Sequence, residues 1–221
     1  VEPEAGWAVV EGADAGNHAR SLPVAKLRDD AMVALFQNGE RLRPSQGWPM
    51  RLILPGWEGN TQIKWLHRIE LGDAPVWTKD ESGLYADPLA DGGLRTMSFV
   101  MEVKSAITRP SGRMMLDGPG FHEITGLAWS GRGRIERVEV STDGGLNWVE
   151  ARLHGPRLPM AMHRFSLPWV WDGRPALLAS RATDETGQIQ PTREAWRARF
   201  ASHAFNHYNA IQAWQVARTG T

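Results

Sequence analysis

Short apolar runs with strand-like alternation recur along the chain from residue 95 to its end. Turns rich in Gly and Pro separate these runs. About seven short strands joined by such turns are typical of a β-sandwich, in which two sheets bury one face of every strand. The runs that predict these strands are MSFVMEVKS, HEITGLAWS, IERVEVSTDGGLNWVEARL, RFSLPW, ALLASRATDETGQIQP and AIQAWQV.

The clearest predicted hairpin of this region lies between residues 138 and 148. Val138 and Val140 alternate with Glu139, which indicates a strand with one apolar face. The run Asp143-Gly144-Gly145 supplies the turn, and Trp148 lies on the returning strand. A second hairpin turn is predicted where the carboxylate pair Asp184-Glu185 precedes Thr186-Gly187.

The first 90 residues contain more loops, with a few short apolar runs between them. The run SLPVAKLRDD predicts a short helix with Ser21 and Pro23 at its cap and first turn. Asn38-Gly39 predicts a hairpin turn. The run MRLILPG predicts a buried strand that ends at Pro55-Gly56.

A further strand is predicted over IKWLHRIEL, residues 63–71. Ile63, Trp65, His67 and Ile69 alternate with mostly polar neighbours, and this strand would present Lys64 on its other face. The segment 75–94, PVWTKDESGLYADPLADGGL, has little apolar periodicity and predicts a linker or crossing arm that packs through its apolar residues Trp77, Leu84 and Tyr85. We therefore divide the chain into domains at 1–94 and 95–221.

Composition and charge narrow the possible function. The 25 basic and 25 acidic residues cancel, which argues against the basic surface that a nucleic-acid-binding protein needs. The chain has no cysteine, so it offers no disulfide and no thiolate ligand. We expect no membrane span, and we expect that a chain opening in the strand-like run WAVVEG begins inside a domain. The eleven Trp residues are expected at strand surfaces, interfaces or cofactor walls.

The most informative candidate chemistry lies in residues 46–66, QGWPMRLILPGWEGNTQIKWL. A strand carries Arg51, the turn Gly56–Gly59 follows, and Lys64 comes after it. Glycines let backbone N–H groups approach an anion, and Arg and Lys supply positive charge. The pattern therefore predicts a phosphate clasp, although strand cations beside a turn are also typical of a solvated surface.

The same segment resembles a motif of the sulfite oxidase family, G-F-P-x-R-x-x-x-P-G-x-x-G-x-x-x-x-K-W-L, over some twenty residues. The resemblance implies a molybdopterin-binding domain of that family, which is α+β and incomplete here. It implies one set of cofactor contacts, made up of Asp14, Gln46, Arg51, Gln62, Ile63 and Lys64. Gln46 stands where vertebrate and plant members have His, and it can still donate a hydrogen bond without carrying charge.

Residues 95–221 resemble the dimerisation domain of the same family, whose fold is immunoglobulin-like. The stretch GLAWSGRGRIERVEVSTDGGLNWVEARL carries this resemblance. The stretch LDGPGFHEITGLAWSGRGRI and the tail HYNAIQAWQV are more similar to the sulfane dehydrogenase (SoxC) subfamily than to sulfite oxidases. The resemblance implies a mainly β chain that forms a homodimer.

The C-terminal tail bears on the substrate. Where the family's sulfite oxidases place an Arg in the anion pocket, the resemblance implies His207 here, or Tyr208 with one gap. His207 is thus a candidate pocket residue for a substrate other than free sulfite, and a packed or turn-capping histidine is the alternative. The remaining histidines show no metal-ligand spacing and are expected to be structural. Trp48 and Trp57 flank the cofactor segment and are candidate pocket walls.

The implied function is a molybdenum-cofactor dehydrogenase that oxidises carrier-bound sulfane sulfur in the periplasm and passes electrons to a c-type cytochrome. In this family a Cys thiolate from the N-terminal half of the cofactor domain binds the molybdenum. Because this chain has no cysteine, we expect the site to be completed by residues outside it. A sulfite dehydrogenase of the same fold and a non-catalytic dimerisation module are the alternatives.

Overall fold

The computed structural model describes residues 5–112 and 114–220 of the chain, and strands dominate it. Seventeen strands and two α-helices lie in this described part, so the prediction of a mainly β chain is confirmed. The described residues divide into two compact units. The first runs to Val100 and includes His203–Asn206, and the second comprises Met101–Ser202 and the residues from His207 onward. No helix in the described residues is both long enough and apolar enough to cross a membrane.

The first unit is built from short strands around one helix. Its regular elements are β1 (Trp7–Gly12), β2 (Ala19–Pro23), α1 (Val24–Asp29), β3 (Met32–Ala34), β4 (Phe36–Gln37), β5 (Glu40–Arg41), β6 (Arg51–Ile53), β7 (Leu66–Gly72), β8 (Asp87–Pro88) and β9 (Leu94–Arg95). A three-stranded antiparallel sheet has the order β2-β1-β7, and β3-β6, β4-β5 and β8-β9 form two-stranded pairs. Three short helical turns complete the unit, at Pro44–Gln46, Gly59–Thr61 and Asp80–Leu84.

The hydrophobic core of the first unit comes from alternate residues of its strands. Val10 on β1, Leu22 on β2 and Leu52 on β6 are buried in it. The hairpin predicted at Asn38-Gly39 is present, because β4 pairs with β5 and both turn residues have positive φ, as a two-residue hairpin loop requires. The predicted short helix is also present as α1.

Two predictions about the first unit are wrong in detail. Ser21 does not cap α1; it is buried in β2, where its hydroxyl accepts from the Val76 N–H at 3.1 Å, and Pro23 occupies the cap position. The strand predicted from Ile63 begins only at Leu66, and Ile69 on it is 49% exposed. Lys64 therefore precedes β7, in an irregular segment where Trp65 has φ of 50°.

The second unit is a β-sandwich, as predicted. Its elements are β10 (Lys104–Arg109), β11 (Gly120–Trp129), β12 (Ile135–Ser141), β13 (Val149–Glu150), β14 (Arg152–His154), β15 (His163–Trp171), β16 (Ala176–Asp184), α2 (Arg193–Arg199) and β17 (Ala213–Val216). The two sheets have the orders β10-β11-β15-β14 and β13-β12-β16-β17. Side chains from both sheets, such as Ile124, Phe165, Val138 and Leu178, form one core between them.

The predicted turns of the sandwich are present. The Asp143 carboxylate accepts from the N–H groups of Leu146 and Asn147 and closes the turn between β12 and β13. These bonds favour the charged form and lower the pKa of Asp143 to about 2. At the end of β16, the buried Asp184 carboxylate accepts from Ser130 and Thr186 and caps the second predicted turn.

Candidate functional site

A cavity of about 370 Å³ lies in the first unit beside the predicted cofactor segment. The turn between β1 and β2, the segment between β6 and β7, the arm around residue 85 and Asn206 all contribute to its wall. Its lining residues are Asp14, His18, Glu58, Gly59, Asn60, Gln62, Lys64, Trp65, Tyr85 and Asn206. Three of the residues implied by the family resemblance, Asp14, Gln62 and Lys64, therefore line one cavity.

Lys64 is held at this cavity by close backbone packing. A Cβ built at Gly12 would lie 2.4 Å from the Lys64 carbonyl oxygen, and one built at Gly47 would lie 2.8 Å from the Lys64 Cβ. Both positions thus need glycine to let the chain approach Lys64. The ammonium donates to the Ser45 carbonyl at 3.0 Å and lies 5.0 Å from the Trp65 ring centroid.

Arg51 does not line the cavity but binds the backbone beside it. Its guanidinium donates to the carbonyls of Gln46 at 3.1 Å and Gln62 at 3.5 Å. Partial burial lowers the pKa of Arg51, because desolvation disfavours the charged form. The buried Nε atom has no hydrogen-bond partner in the described residues, so part of the donor capacity of this cation is unused.

Gln62 and Ile63 take structural positions in the cofactor segment. The Gln62 side-chain oxygen accepts from the Leu54 N–H at 2.7 Å, and its amide donates to the carbonyls of Leu54 and Trp57. Ile63 is fully buried in the core of the unit. Their side chains fix the loop between β6 and Lys64, and Gln62 also lines the cavity.

Asp14 and Gln46 each cap a local turn. One Asp14 carboxylate oxygen accepts from the His18 N–H at 3.0 Å. The Gln46 side-chain oxygen accepts from the Arg43 N–H at 2.9 Å, which closes the helical turn Pro44–Gln46. Gln46 is not among the lining residues of the cavity, and its connection with the cofactor segment is the carbonyl that Arg51 binds.

His207 and the candidate tryptophans are placed differently from the cavity lining. The His207 side chain is buried in the second unit, and its carbonyl accepts from the Trp196 indole at 3.3 Å. The residue before it, Asn206, belongs to the first unit and lines the cavity. Trp48 is half exposed and Trp57 stacks on Phe99, so the lining tryptophan is Trp65 rather than either of them.

Three residues that line the cavity were not among the predicted cofactor contacts. These residues are His18, Asn60 and Tyr85, and the buried Arg20 contacts Asn60 and Tyr85. Asn60 falls inside the motif segment, which is the only sequence signal for it. The arm packs here through the buried Asp80 and Glu81, whereas its apolar residues Trp77 and Leu84, which we expected to pack, are largely exposed.

The cavity can be tested for its fit to a pterin cofactor with an anionic phosphate. Arg51 and Lys64 have only carbonyl oxygens as hydrogen-bond acceptors and form no ion pair within the described residues. Their charge is therefore available to an anion. The described residues contain no group of three His, Cys, Asp or Glu side chains that could hold a metal. The donor set thus fits the pterin and phosphate part of a molybdenum cofactor, while this chain supplies no thiolate for the metal.

Lys64 in the cavity of the first unit is compatible with binding of an anionic cofactor. Comparison with family models agrees. Residues 1–79 match the oxidoreductase molybdopterin binding domain, and residues 95–213 match the Mo-co oxidoreductase dimerisation domain, which alone spans more than half of the chain. The chain belongs to the sulfite oxidase family of molybdenum-cofactor oxidoreductases.

Individual relatives support this assignment. The mitochondrial sulfite oxidase of Drosophila melanogaster is 31% identical over 93% of this chain and 38% of its own length. The NADH nitrate reductase of Solanum lycopersicum is 31% identical over 76% of this chain and 21% of its own length. The sulfane dehydrogenase SoxCD from Paracoccus pantotrophus matches the whole chain with a TM-score of 0.97 and 48% identity, over 57% of its matched chain. The chain thus spans about a third of the length of the curated sulfite oxidases that it matches.

Proposed function

We propose that this chain forms part of a molybdenum-cofactor dehydrogenase that oxidises sulfur. The observation that carries the proposal is Lys64, a cation without a carboxylate partner in the described residues, held at the cavity by two glycine contacts. When bound, the molybdenum cofactor supplies two-electron oxygen-transfer chemistry. The residues of this chain bind and orient the cofactor, and the metal-binding thiolate comes from outside the chain.

Each candidate residue has a defined task in this proposal. Lys64 binds the anionic part of the cofactor, and Arg51, which donates to the carbonyls of Gln46 and Gln62, adds a second positive charge beside it. Gln62 and Ile63 hold the backbone before Lys64 in place, and Gln46 holds the backbone near Arg51. One Asp14 carboxylate oxygen accepts from the His18 N–H, and the other can accept from a pterin edge.

The test of the cofactor site is retention of the cofactor in the complete enzyme. We expect Arg51→Ala and Lys64→Ala to lower the molybdenum and pterin content of the purified enzyme strongly. A lost charge-assisted contact costs about 1.5–3 kcal/mol, which corresponds to a tenfold or larger loss of affinity. The matched control is Arg68→Ala, because Arg68 lies on β7 and pairs with Glu70 and Glu11. Equal cofactor content in all three variants would contradict the assignment.

For the substrate, we propose carrier-bound sulfane sulfur, with a c-type cytochrome as electron acceptor and a periplasmic location. The 48% identity with a protein described as a sulfane dehydrogenase supports this choice. A sulfite dehydrogenase of the same fold is the second candidate, supported by sulfite oxidases that are about 30% identical. A non-catalytic module is the third, and absence of molybdenum from the complete assembly would favour it.

The tail residues test the substrate proposal. A permanent guanidinium at the pocket favours a compact dianion such as sulfite, because Arg stays charged and offers paired donors. We expect His207→Arg to raise kcat/KM for sulfite relative to the sulfane carrier, if His207 is the pocket residue. Asn206→Arg is the comparison variant, because Asn206 lines the cavity, and Tyr208→Arg covers a shift by one residue. Ratios unchanged within about threefold in all three variants would contradict a role of the tail in specificity.

A further inference from the structure

A fully buried ion pair lies behind the cavity wall. Arg20 on β2 and Glu81 in the helical turn of the arm both have side chains with no exposed surface. The Arg20 Nε donates to one Glu81 oxygen at 2.7 Å, and an Nη donates to the other at 3.2 Å. The two residues are separated by 61 positions in the sequence, so the pair fixes the arm against the sheet.

The same guanidinium also reaches the cavity lining. Its second Nη donates to the Asn60 side-chain oxygen, and its plane lies 5.1 Å from the centroid of the Tyr85 ring. Asn60 stands two residues before Gln62 and four before Lys64. Arg20 therefore joins Glu81 on the arm to the helical turn Gly59–Thr61, which precedes Lys64 in the cofactor segment.

A second set of contacts converges on the same asparagine. The His18 Nε2 donates to the Asn60 carbonyl at 2.7 Å, and its Nδ1 lies 3.3 Å from the Asp80 carboxylate. The His18 ring meets the Tyr85 ring edge to face at 5.9 Å. The lining residues His18, Asn60 and Tyr85 are thus held by one connected network whose centre is the buried pair.

Stability alone does not account for this arrangement. Burial of two charges costs desolvation energy that their attraction only partly offsets, so a well-packed apolar pair is often as stable. Other hydrogen bonds also hold the arm to β2: Thr78 donates to the Ala19 carbonyl, and the Ala19 N–H donates to Asp80. The Arg20 guanidinium supplies a planar set of donors that orients Asn60, and an apolar pair has no such donors.

We infer that Arg20 and Glu81 are positioning residues of the cofactor cavity, which act by fixing Asn60 and through it the segment that carries Lys64. This inference rests on the proposed cofactor site. Neither side chain touches the cavity itself, so the effect on the cofactor is transmitted by the hydrogen bond to Asn60.

The test separates orientation from stability in the cofactor-loaded holoenzyme. The double variant Arg20→Met/Glu81→Leu replaces the pair by apolar side chains, and we expect it to melt near the wild-type temperature. We expect its cofactor to be released about tenfold faster, since the donor to Asn60 is missing. The single variant Glu81→Leu leaves a buried cation unpaired and should lower the melting temperature. Release is followed by pterin fluorescence and molybdenum content after dialysis.

Two further variants make the result decisive. Asn60→Leu keeps the ion pair but removes the side-chain oxygen to which Arg20 donates. This variant should release cofactor as fast as the double variant does. Arg181→Met/Glu139→Leu removes a bidentate ion pair of the second unit and should not change release. Wild-type release rates in Asn60→Leu, or in a stable double variant, would overturn the positioning role. Fast release in these variants with normal retention in Lys64→Ala would overturn the proposed Lys64 site and leave the positioning role standing.

Discussion

Cations in the first unit fall into two groups that differ in their partners. Arg51 and Lys64 bind carbonyl oxygens, which carry partial charge, whereas Arg20 binds the Glu81 carboxylate. A carbonyl satisfies a donor without cancelling the charge of the cation. The first group therefore keeps a positive field for an anionic cofactor, and the second is neutralised within the protein.

The motif made the first group predictable and left the second unpredicted. Arg51 and Lys64 stand at fixed spacing within one segment of about twenty residues, so a sequence pattern contains both. Arg20 and Glu81 lie in different segments, and nothing in either segment alone indicates a partner. The arm was expected to pack through Trp77, Leu84 and Tyr85, because apolar residues normally provide contacts in a polar segment. Tyr85 packs against His18 and Arg20, whereas Trp77 and Leu84 are largely exposed.

A buried histidine of the second unit should make the stability of the protein depend on pH. His163 on β15 is 2% exposed, and burial lowers its pKa from 6.5. Below pH 6.5 the unfolded chain gains a proton that the folded chain does not bind. The free energy of unfolding should therefore fall as the pH drops from about 7 to 5. Urea unfolding at several pH values measures this slope.

The slope can be assigned to His163 by substitution. His163→Gln is neutral at every pH, so its unfolding free energy should change less over this range, whatever its absolute stability. His203→Gln is the matched control, because His203 is exposed. A slope that is unchanged in His163→Gln would show that other groups cause the acid sensitivity.

At the scale of elements, the strands of the sandwich were easier to predict than those of the cofactor segment. The long strand β11 keeps strict alternation because one face lies on the core, and β15 departs from it only at the buried Ser166. Lys64 sits instead in an irregular segment, although Ile63, Trp65 and Ile69 alternate in the sequence. Gly12 lies close to Lys64 in this irregular segment. A contact between residues so far apart in the sequence leaves no trace in the hydrophobic periodicity. Helix α2, which is capped by Thr192, was also missed, because it is only seven residues long.

The close packing of β1 against the segment around Lys64 gives a prediction for Gly12, the last residue of β1. A Cβ at Gly12 would meet the Lys64 carbonyl at 2.4 Å, so Gly12→Ala must displace backbone. We expect a loss of about 1–3 kcal/mol in stability together with lower cofactor retention. Gly83→Ala in the helical turn of the arm is the control, since nothing lies within 4 Å of its Cβ position and Gly83 does not line the cavity. Thermal melting and pterin content measure both effects, and equal behaviour of the two variants would contradict the role of Gly12.

At the scale of the whole molecule, the two units have separate cores and match separate family models. The cofactor-domain model ends at residue 79 and the dimerisation-domain model begins at residue 95. The boundary between residues 94 and 95 lies between these two ranges and stays a proposal, while the compact units divide between Val100 and Met101. Separate cores also mean that each unit can be studied for its own contribution to assembly.

For the assembly of the whole molecule, we predict a homodimer formed through residues 95–221. The match of residues 95–213 to a dimerisation domain supports it, and so does exposed apolar surface on the sandwich. Phe121 and Val170 are 72% and 76% exposed and face each other across β11 and β15. Contiguous apolar surface of this kind is typical of a contact between subunits.

Sedimentation measurements on the full chain and on residues 95–221 test the dimer. We expect both to sediment as dimers at micromolar concentration, because the second unit carries its own core and the predicted interface. A dimeric full chain with a monomeric 95–221 segment would place the interface in the first unit instead. Monomers in both preparations would contradict the prediction, and the exposed Phe121 and Val170 would then need a different partner.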